Sequence, residues 1–359
     1  MLKVLCKCLL VLSMPFWAVA QATSVVFLNP GNSTETFWVS YAQFMQAAAR
    51  DLGLDLRVRY SERNPQTTLL QAREALQGTE RPDYLVLVNE QYIAPQILRL
   101  SQGSGVKLLI VNNALTPDQV QLLDARQYPN WVGSLVANDE EAGYLMLREL
   151  LRVHTPVAPG QTIDLLAFSG AKNTPAAQLR EQGLRRALEE FPQVRLRQLV
   201  YGEWNRQRAF EQATQLFKRY PQTGLVWAAN DEMALGAMAA LEQRGGVPGK
   251  TVLFSAVNSS PQILKARLDG RLSALVAGHF TQGGWAMVLL HDDALGVDMS
   301  QHGGRERSEA LFQLIDPAQA RRLQRFNASE DHPLDFRALS AVGKPAAYRY
   351  PFSLQLLLH

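Results

Sequence analysis

Residues 225–241, LVWAANDEMALGAMAAL, restrict the fold more than any other part of the chain. Leu225, Val226, Trp227 and Ala228 form a short apolar run without alternation, the pattern of a strand buried on both faces of a parallel sheet. Asn230 and Asp231 are N-cap candidates, and Asp231 and Glu232 put negative charge at the positive end of a helix dipole. Met233, Ala234, Ala237, Met238 and Leu241 then recur at helical spacing. A strand, a sharp turn and a helix make up the repeating unit of a doubly wound sheet. Such sheets bind ligands beyond the carboxyl ends of their strands, where Asn230 falls. The same residues would also serve an ordinary strand-to-helix junction with a capping Asn.

The rest of the chain repeats this unit. A strand at 24–28 leads through a Gly-, Asn-, Ser- and Thr-rich loop into a helix over 37–52 with Val39, Ala42, Met45 and Ala49 on one stripe. Strands at 54–60, 84–88 and 107–111 alternate with helices at 65–76 and 93–101, and a short strand follows at 131–135. A second run then begins. Helices at 140–151, 175–190 and 205–219 alternate with strands at 163–168 and 194–200. After the central unit come strand 252–256, helix 261–268, strand 272–277 and helix 282–295. This alternation predicts parallel sheets covered on both faces. Two such runs predict two similar lobes, although no sequence repeat is visible between them.

Residues 1–20, MLKVLCKCLLVLSMPFWAVA, read as a cleaved export signal: Lys3 and Lys7, an apolar core, and a small-x-small site at Ala18 and Ala20. The apolar run is shorter than the roughly 20 residues a membrane span needs. Cleavage would leave Gln21 first. Both cysteines, Cys6 and Cys8, lie inside the signal, so the mature chain has no disulfide, thiolate metal site or lipid-anchoring cysteine. The formal charge of +3 loses two lysines with the signal, which leaves too little to argue for nucleic acid or an anionic membrane.

No catalytic arrangement stands out: the chain has no GxSxG elbow, HExxH or P-loop. The six histidines, 154, 279, 291, 302, 332 and 359, lack metal-ligand spacing. The expectation is therefore a binder rather than an enzyme, with no cofactor and no metal. His291-Asp292-Asp293 reads as a solvated helix end.

AANDEMALGAMAAL resembles the NDEMALGA segment of the sugar-binding proteins of ABC importers (the ribose-binding group) and of LacI-type repressor effector domains. The likeness extends more thinly over residues 24–315. It implies an α/β fold of two similar doubly wound parallel-sheet lobes joined by a three-stranded hinge, a type 1 periplasmic binding protein. The hinge crossings would fall near Val136-Ala137-Asn138, Gly278-His279 and residues 302–307. One lobe would take 21–136 and about 279–305, the other 137–278 and about 306–359, with Ser329 to Pro333 a solvated loop in the tail.

The resemblance also implies a site. Asn230 falls on a ligand-bonding Asn. Phe37 and Trp38 fall on an aromatic pair that stacks on the sugar, though they would equally serve as a hydrophobic staple. Trp204 falls on the second aromatic wall. Arg180, in Arg-x-x-Gly183, falls on an Arg that donates to ligand oxygens, and its planar fork suits vicinal hydroxyls or a carboxylate; Arg185 and Arg186 read as solvated surface. Several positions depart from the pattern. Asn112 and Asn113 replace an Asp-Arg pair, Asn258 replaces an Asp, Gly278 beside His279 replaces a hinge Gln, and Glu35 stands where an Asn is usual. Simple ribose or glucose specificity is therefore not expected. The partners implied are a small polar, sugar-like ligand and an inner-membrane ABC permease, with the protein a periplasmic monomer. A sensory receptor serving a membrane histidine kinase or cyclase is the alternative. A repressor is rejected, because an export signal stands where its helix-turn-helix would be.

Overall fold

The computed structural model describes residues 22–158, 160–329 and 334–358. Residues 1–20, expected to be an export signal, Gln21 and residues 330–333 of the expected tail loop lie outside them. The first run of chain gives β1 (Ser24–Asn29), α1 (Thr36–Leu52), β2 (Asp55–Tyr60), α2 (Pro65–Gln77), β3 (Tyr84–Val88), α3 (Ala94–Ser101), β4 (Lys107–Val111), α4 (Pro117–Leu122) and β5 (Trp131–Ala137). The second gives α5 (Asp139–Val153), β6 (Ile163–Ser169), α6 (Pro175–Glu190), β7 (Val194–Tyr201), α7 (Arg206–Arg219), β8 (Thr223–Ala228), α8 (Asp231–Gln243), β9 (Leu253–Val257), α9 (Pro261–Leu268) and β10 (Ala274–Ala277). The chain closes with α10 (Gln282–Ala294), β11 (Glu306–Glu309), β12 (Gln313–Leu314) and α11 (Pro317–Ala328).

Two six-stranded sheets result, ordered β11-β5-β4-β3-β1-β2 and β12-β10-β9-β8-β6-β7. Apart from the antiparallel β12, every pairing between these strands is parallel. Helices cover both faces, which is why β3 and the Leu225–Ala228 part of β8 are buried along their length. Trp227 lies wholly buried in β8, its indole Nε1 donating to Gly143 O at 3.1 Å. The fold is thus the two-lobed parallel α/β architecture expected.

The two sheets carry the strand-end repeat that the bare sequence hides. Tyr60-Ser61-Glu62-Arg63-Asn64 after β2 and Tyr201-Gly202-Glu203-Trp204-Asn205 after β7 share three identities and one backbone path. Glu62 and Arg63 have φ of 51° and 60°; Glu203 and Trp204 have 53° and 63°. Asn64 and Asn205 then cap α2 and α7 with their side chains. Gln71 Nε2 donates to Tyr60 O at 2.9 Å, and Gln212 Nε2 to Tyr201 O at 3.0 Å. Arg63 and Trp204 are therefore equivalent positions of the two lobes.

The last part of the chain departs from expectation. Glu306–Glu309 pairs in parallel with β5 and so belongs to the first sheet, where it occupies the bonding edge β5 would otherwise leave open. The third crossing thus lies at 310–312, later than 302–307. Nor does all of 306–359 pack with the second lobe. α11 packs on α9 there, capped by Asp316 and Gln319. The chain then returns to the first lobe: Phe336 meets Phe44 edge-on at 5.3 Å, and Phe352 stacks on Trp285 at 5.2 Å and 11°. Gln355 finally bonds Gln313 of β12.

This return also corrects the reading of His291-Asp292-Asp293. Asp292 is fully buried and accepts from Ser340 Oγ (2.5 Å), Ala341 N (2.6 Å) and Tyr350 OH (2.9 Å). Asp293 accepts from Tyr84 OH and Lys107 Nζ, each at 2.6 Å. The carboxylates anchor the tail and β3–β4 to α10, because a buried carboxylate needs donors to replace water. Among the described residues, no helix is long and apolar enough to cross a membrane.

Candidate ligand-binding cleft

Backbone strain marks the site before any side chain does. Among the described residues, eight non-glycine residues have positive φ: Glu62, Arg63, Gln91, Tyr92, Asn112, Glu203, Trp204 and Asn258. Each follows the carboxyl end of a strand, of β2, β3, β4, β7 or β9. Such conformations cost about 1–3 kcal/mol apiece and persist where surrounding structure enforces them, commonly at ligand sites.

On the second-lobe side, α5 and α6 touch backbone to backbone. A Cβ on Gly183 would lie 1.8 Å from Glu140 O, and one on Gly143 would lie 2.0 Å from Arg180 O. This contact gives the glycine of the Arg-x-x-Gly pair its role and sets Arg180 against the start of α5. Arg180 Nε donates to Asp139 Oδ1 at 2.7 Å and Nη1 to Ala229 O at 2.6 Å, while Nη2 lies 3.5 Å from His279 Nε2. Two arms of the fork are therefore committed within the protein, leaving Nη2 as the arm freest to serve a ligand. Burial raises the Asp139 carboxyl's pKa, against the pull of Arg180. Burial, then Arg180, holds the His279 imidazole well below its usual range, so it is neutral at pH 7. The guanidinium also sits over the rings of Trp204 (5.7 Å) and Phe312 (5.5 Å).

Asn230 caps α8, its Oδ1 accepting from Met233 N at 2.9 Å, and its Nδ2 donates to Trp204 O at 3.2 Å. The capping and ligand-site readings of Asn230 are thus compatible rather than rivals. Asn258 Nδ2 donates to Asp231 Oδ1 at 2.7 Å. Trp204 leans on Gly170, where a Cβ would fall 2.0 Å from its ring.

On the first-lobe side, Trp38 is buried with its ring against Gly31, where a Cβ would also fall at 2.0 Å. Phe37 meets Trp38 edge-on at 4.9 Å. Beyond them lies a charged wall. Arg63 forks onto Glu35, Nε to Oε2 at 3.0 Å with Nη2 on Oε1, and its Nη1 donates to Glu90 Oε1 at 2.8 Å. Glu90 Oε2 accepts from Asn113 Nδ2 at 3.0 Å, and Asn113 Oδ1 is buried without a partner. Burial raises the Glu90 pKa; Arg63 opposes this and Glu35 adds to it.

All nine sequence-predicted residues (Phe37, Trp38, Asn112, Asn113, Arg180, Trp204, Asn230, Asn258 and His279) line one cavity with about 400 Å³ of empty space, counting its mouth. Glu35, Arg63, Glu90 and Ala176 complete the lining. Arg63 and Glu90 were missed, although the rule that strand ends line the crevice points to both, and the repeat places Arg63 opposite Trp204. The wall mixes apolar ring faces with amides, carboxylates and a guanidinium, a combination that fits a small ring bearing hydroxyls. Among the described residues, no group of three or more His, Cys, Asp or Glu is placed to hold a metal ion.

Known proteins share this architecture. The profile of the periplasmic binding protein domain matches residues 25–296. Over 260 residues the chain is 26% identical to the ribose import binding protein RbsB of Salmonella typhimurium, covering 72% of this chain and 81% of that protein. It is 67% identical to a periplasmic sugar-binding protein from Pseudomonas fluorescens whose structure is solved, with a TM-score of 0.88 over 94% of this chain and 100% of that one. The binding protein of the arabinose ABC transporter of Shewanella sp. ANA-3, solved with α- and β-L-arabinofuranose, shares the fold at a TM-score of 0.74 and 20% identity, over 87% of this chain and 99% of its own.

Proposed function

Because this chain belongs to the periplasmic binding protein family, we propose that it is an exported sugar receptor that closes on one small sugar and delivers it to an ABC importer. The observation that carries the reading is the convergence of Trp38, Trp204, Arg180 and four Asn side chains, drawn from both lobes, on one cavity. A ring between the lobes would rest its apolar faces near the indoles and offer its hydroxyls to the amides. A ligand that touches both lobes favours the closed arrangement through contacts the open one lacks. The protein binds and releases without bond chemistry, works as a monomer, and loses residues 1–20 on export, so mass spectrometry of the mature protein should begin at Gln21.

The test is thermal unfolding and calorimetry with D-ribose, L-arabinose, D-galactose and D-allose. One of these should raise the melting temperature, since a ligand at a hundred times its Kd stabilises by about 2.7 kcal/mol. Small-angle scattering should then show a more compact particle. Stabilisation by an amino acid and by none of the sugars would sink the proposal.

A further inference from the structure

The strand-end repeat makes Arg63 the first-lobe counterpart of Trp204, yet its chemistry is opposite. Trp204 offers a ring face, whereas Arg63 turns its fork onto two carboxylates that line the cavity. Glu35 gives it both oxygens and Glu90 gives it one. Side-chain exposures of 25%, 19% and 11% place the three out of bulk water but open to the cavity. The remaining lone pairs of Glu35 and Glu90, with the unpartnered Oδ1 of Asn113, make an acceptor surface. Acceptors call for ligand donors, and both a hydroxyl and an ammonium qualify. Without Arg63, two carboxylates would face one space and favour a cation or a bound proton.

We propose that Arg63 is the specificity-setting residue of this wall: it holds Glu35 and Glu90 as a half-compensated pair of acceptors, fitting the site to uncharged sugar hydroxyls, while its own engagement with them leaves no free fork for a sugar acid. It acts by positioning the two carboxylates and offsetting part of their charge rather than by touching the ligand. The inference rests on the sugar reading above. Within the inner cavity a carboxylate-bearing sugar meets only cations already in ion pairs, Arg63 with Glu35 and Glu90, and Arg180 with Asp139. The other charged or titratable groups around this space are Glu232, Arg206, Lys172, Glu203, Arg208, Glu211 and Tyr92 toward the cleft mouth, and His279 beside Arg180.

The experiment is calorimetry of the full mature protein with D-ribose, L-arabinose, D-galactose and D-galacturonate, at pH 7 and pH 5. It compares the wild type with Arg63→Met, Arg63→Lys and the double variant Arg63→Met/Glu35→Gln. The wild type should bind a neutral sugar with little change between the two pH values and bind D-galacturonate about 100-fold more weakly than D-galactose. Arg63→Met should weaken the neutral sugar about 30-fold at pH 7 and recover in part at pH 5, as a proton replaces the guanidinium. The double variant should recover most of the loss at pH 7, with Arg63→Lys intermediate. A purely structural role would give neither the pH recovery nor the rescue. If Arg63→Met does not fold, Arg63→Lys and the double variant carry the same test. Binding by Arg63→Met within about threefold of wild type at both pH values, or equal binding of galacturonate and galactose by the wild type, overturns this inference alone. A wild type that binds an amino acid and none of the sugars overturns the sugar reading together with it.

Discussion

The imidazole of His279 lies flat on the ring of Phe37, with centroids 4.5 Å apart and planes 18° apart. Its other neighbour is Phe312, also at 4.5 Å. Phe37 comes from the first-lobe helix, His279 from the second crossing and Phe312 from the third. Arg180 touches this stack and binds Asp139, the residue that follows the first crossing. All three crossings therefore meet around one buried cation and one neutral imidazole. Any swing of the lobes has to slide or part these rings.

His279 should make the fold acid-sensitive above the range where carboxylates titrate. Its pKa in the folded protein lies well below 6.5, so below pH 6.5 the unfolded chain binds the extra proton and the folded chain does not. Stability is therefore full above pH 6.5 and falls as pH drops from there toward the folded pKa, by at most about 1.4 kcal/mol per pH unit. His279→Gln should flatten the denaturation midpoint between about pH 6.5 and pH 5 relative to wild type. Identical slopes for the two proteins would refute the assignment.

Arg180→Met should cost about 3–5 kcal/mol in urea unfolding, because it strands the buried Asp139 carboxylate. Adding Asp139→Asn should recover much of that loss. A single-variant cost under about 1 kcal/mol would mean the pair is not a supporting element.

Gly170→Ala should push the Trp204 ring off its seat, since the added Cβ would arrive 2.0 Å from it. Sugar affinity should fall about tenfold or more while circular dichroism stays native. Unchanged affinity would show that the exact seat of Trp204 does not matter to the ligand.

Asp292→Asn should cost about 1–3 kcal/mol, because an amide NH₂ would face one of the donors that the carboxylate now accepts. Tyr350→Phe should cost about 1 kcal/mol. Chemical denaturation of both variants checks the pair; neutral results would mean the tail is held by its aromatic contacts alone.

What was legible in the sequence was what depends on local pattern. The buried run at Leu225 and the periodic helices announced the sheets, and their junctions placed Asn230, Arg180 and Trp204 at one crevice. α4 was missed although Thr116 and Gln119 form a capping box there, because six residues carry too little periodicity to register. β11 and β12 have four and two residues, and their identity as strands comes from pairing with β5 and β10. Asp292 looked solvated because its donors, Ser340 and Tyr350, lie about fifty residues further along. The repeat between Tyr60 and Tyr201 escaped notice because three identities in five residues are too short to stand out, and the φ angles and glutamine hydrogen bonds that confirm it exist only in the fold.

The return of the tail to α1 and α10 bears on the order in which the chain can acquire its shape. The second sheet's five parallel strands and their helices come from one unbroken stretch, residues 139–277, and can assemble as they emerge during synthesis. The first lobe cannot. Its sheet waits for Glu306–Glu309, and Trp285 keeps a bare face until Phe352 arrives. A nascent chain halted short of that point holds one finished half and one half with exposed aromatic surface, a form suited to chaperone capture. Maturation of the first lobe is thus timed by segments made long after its own first strands.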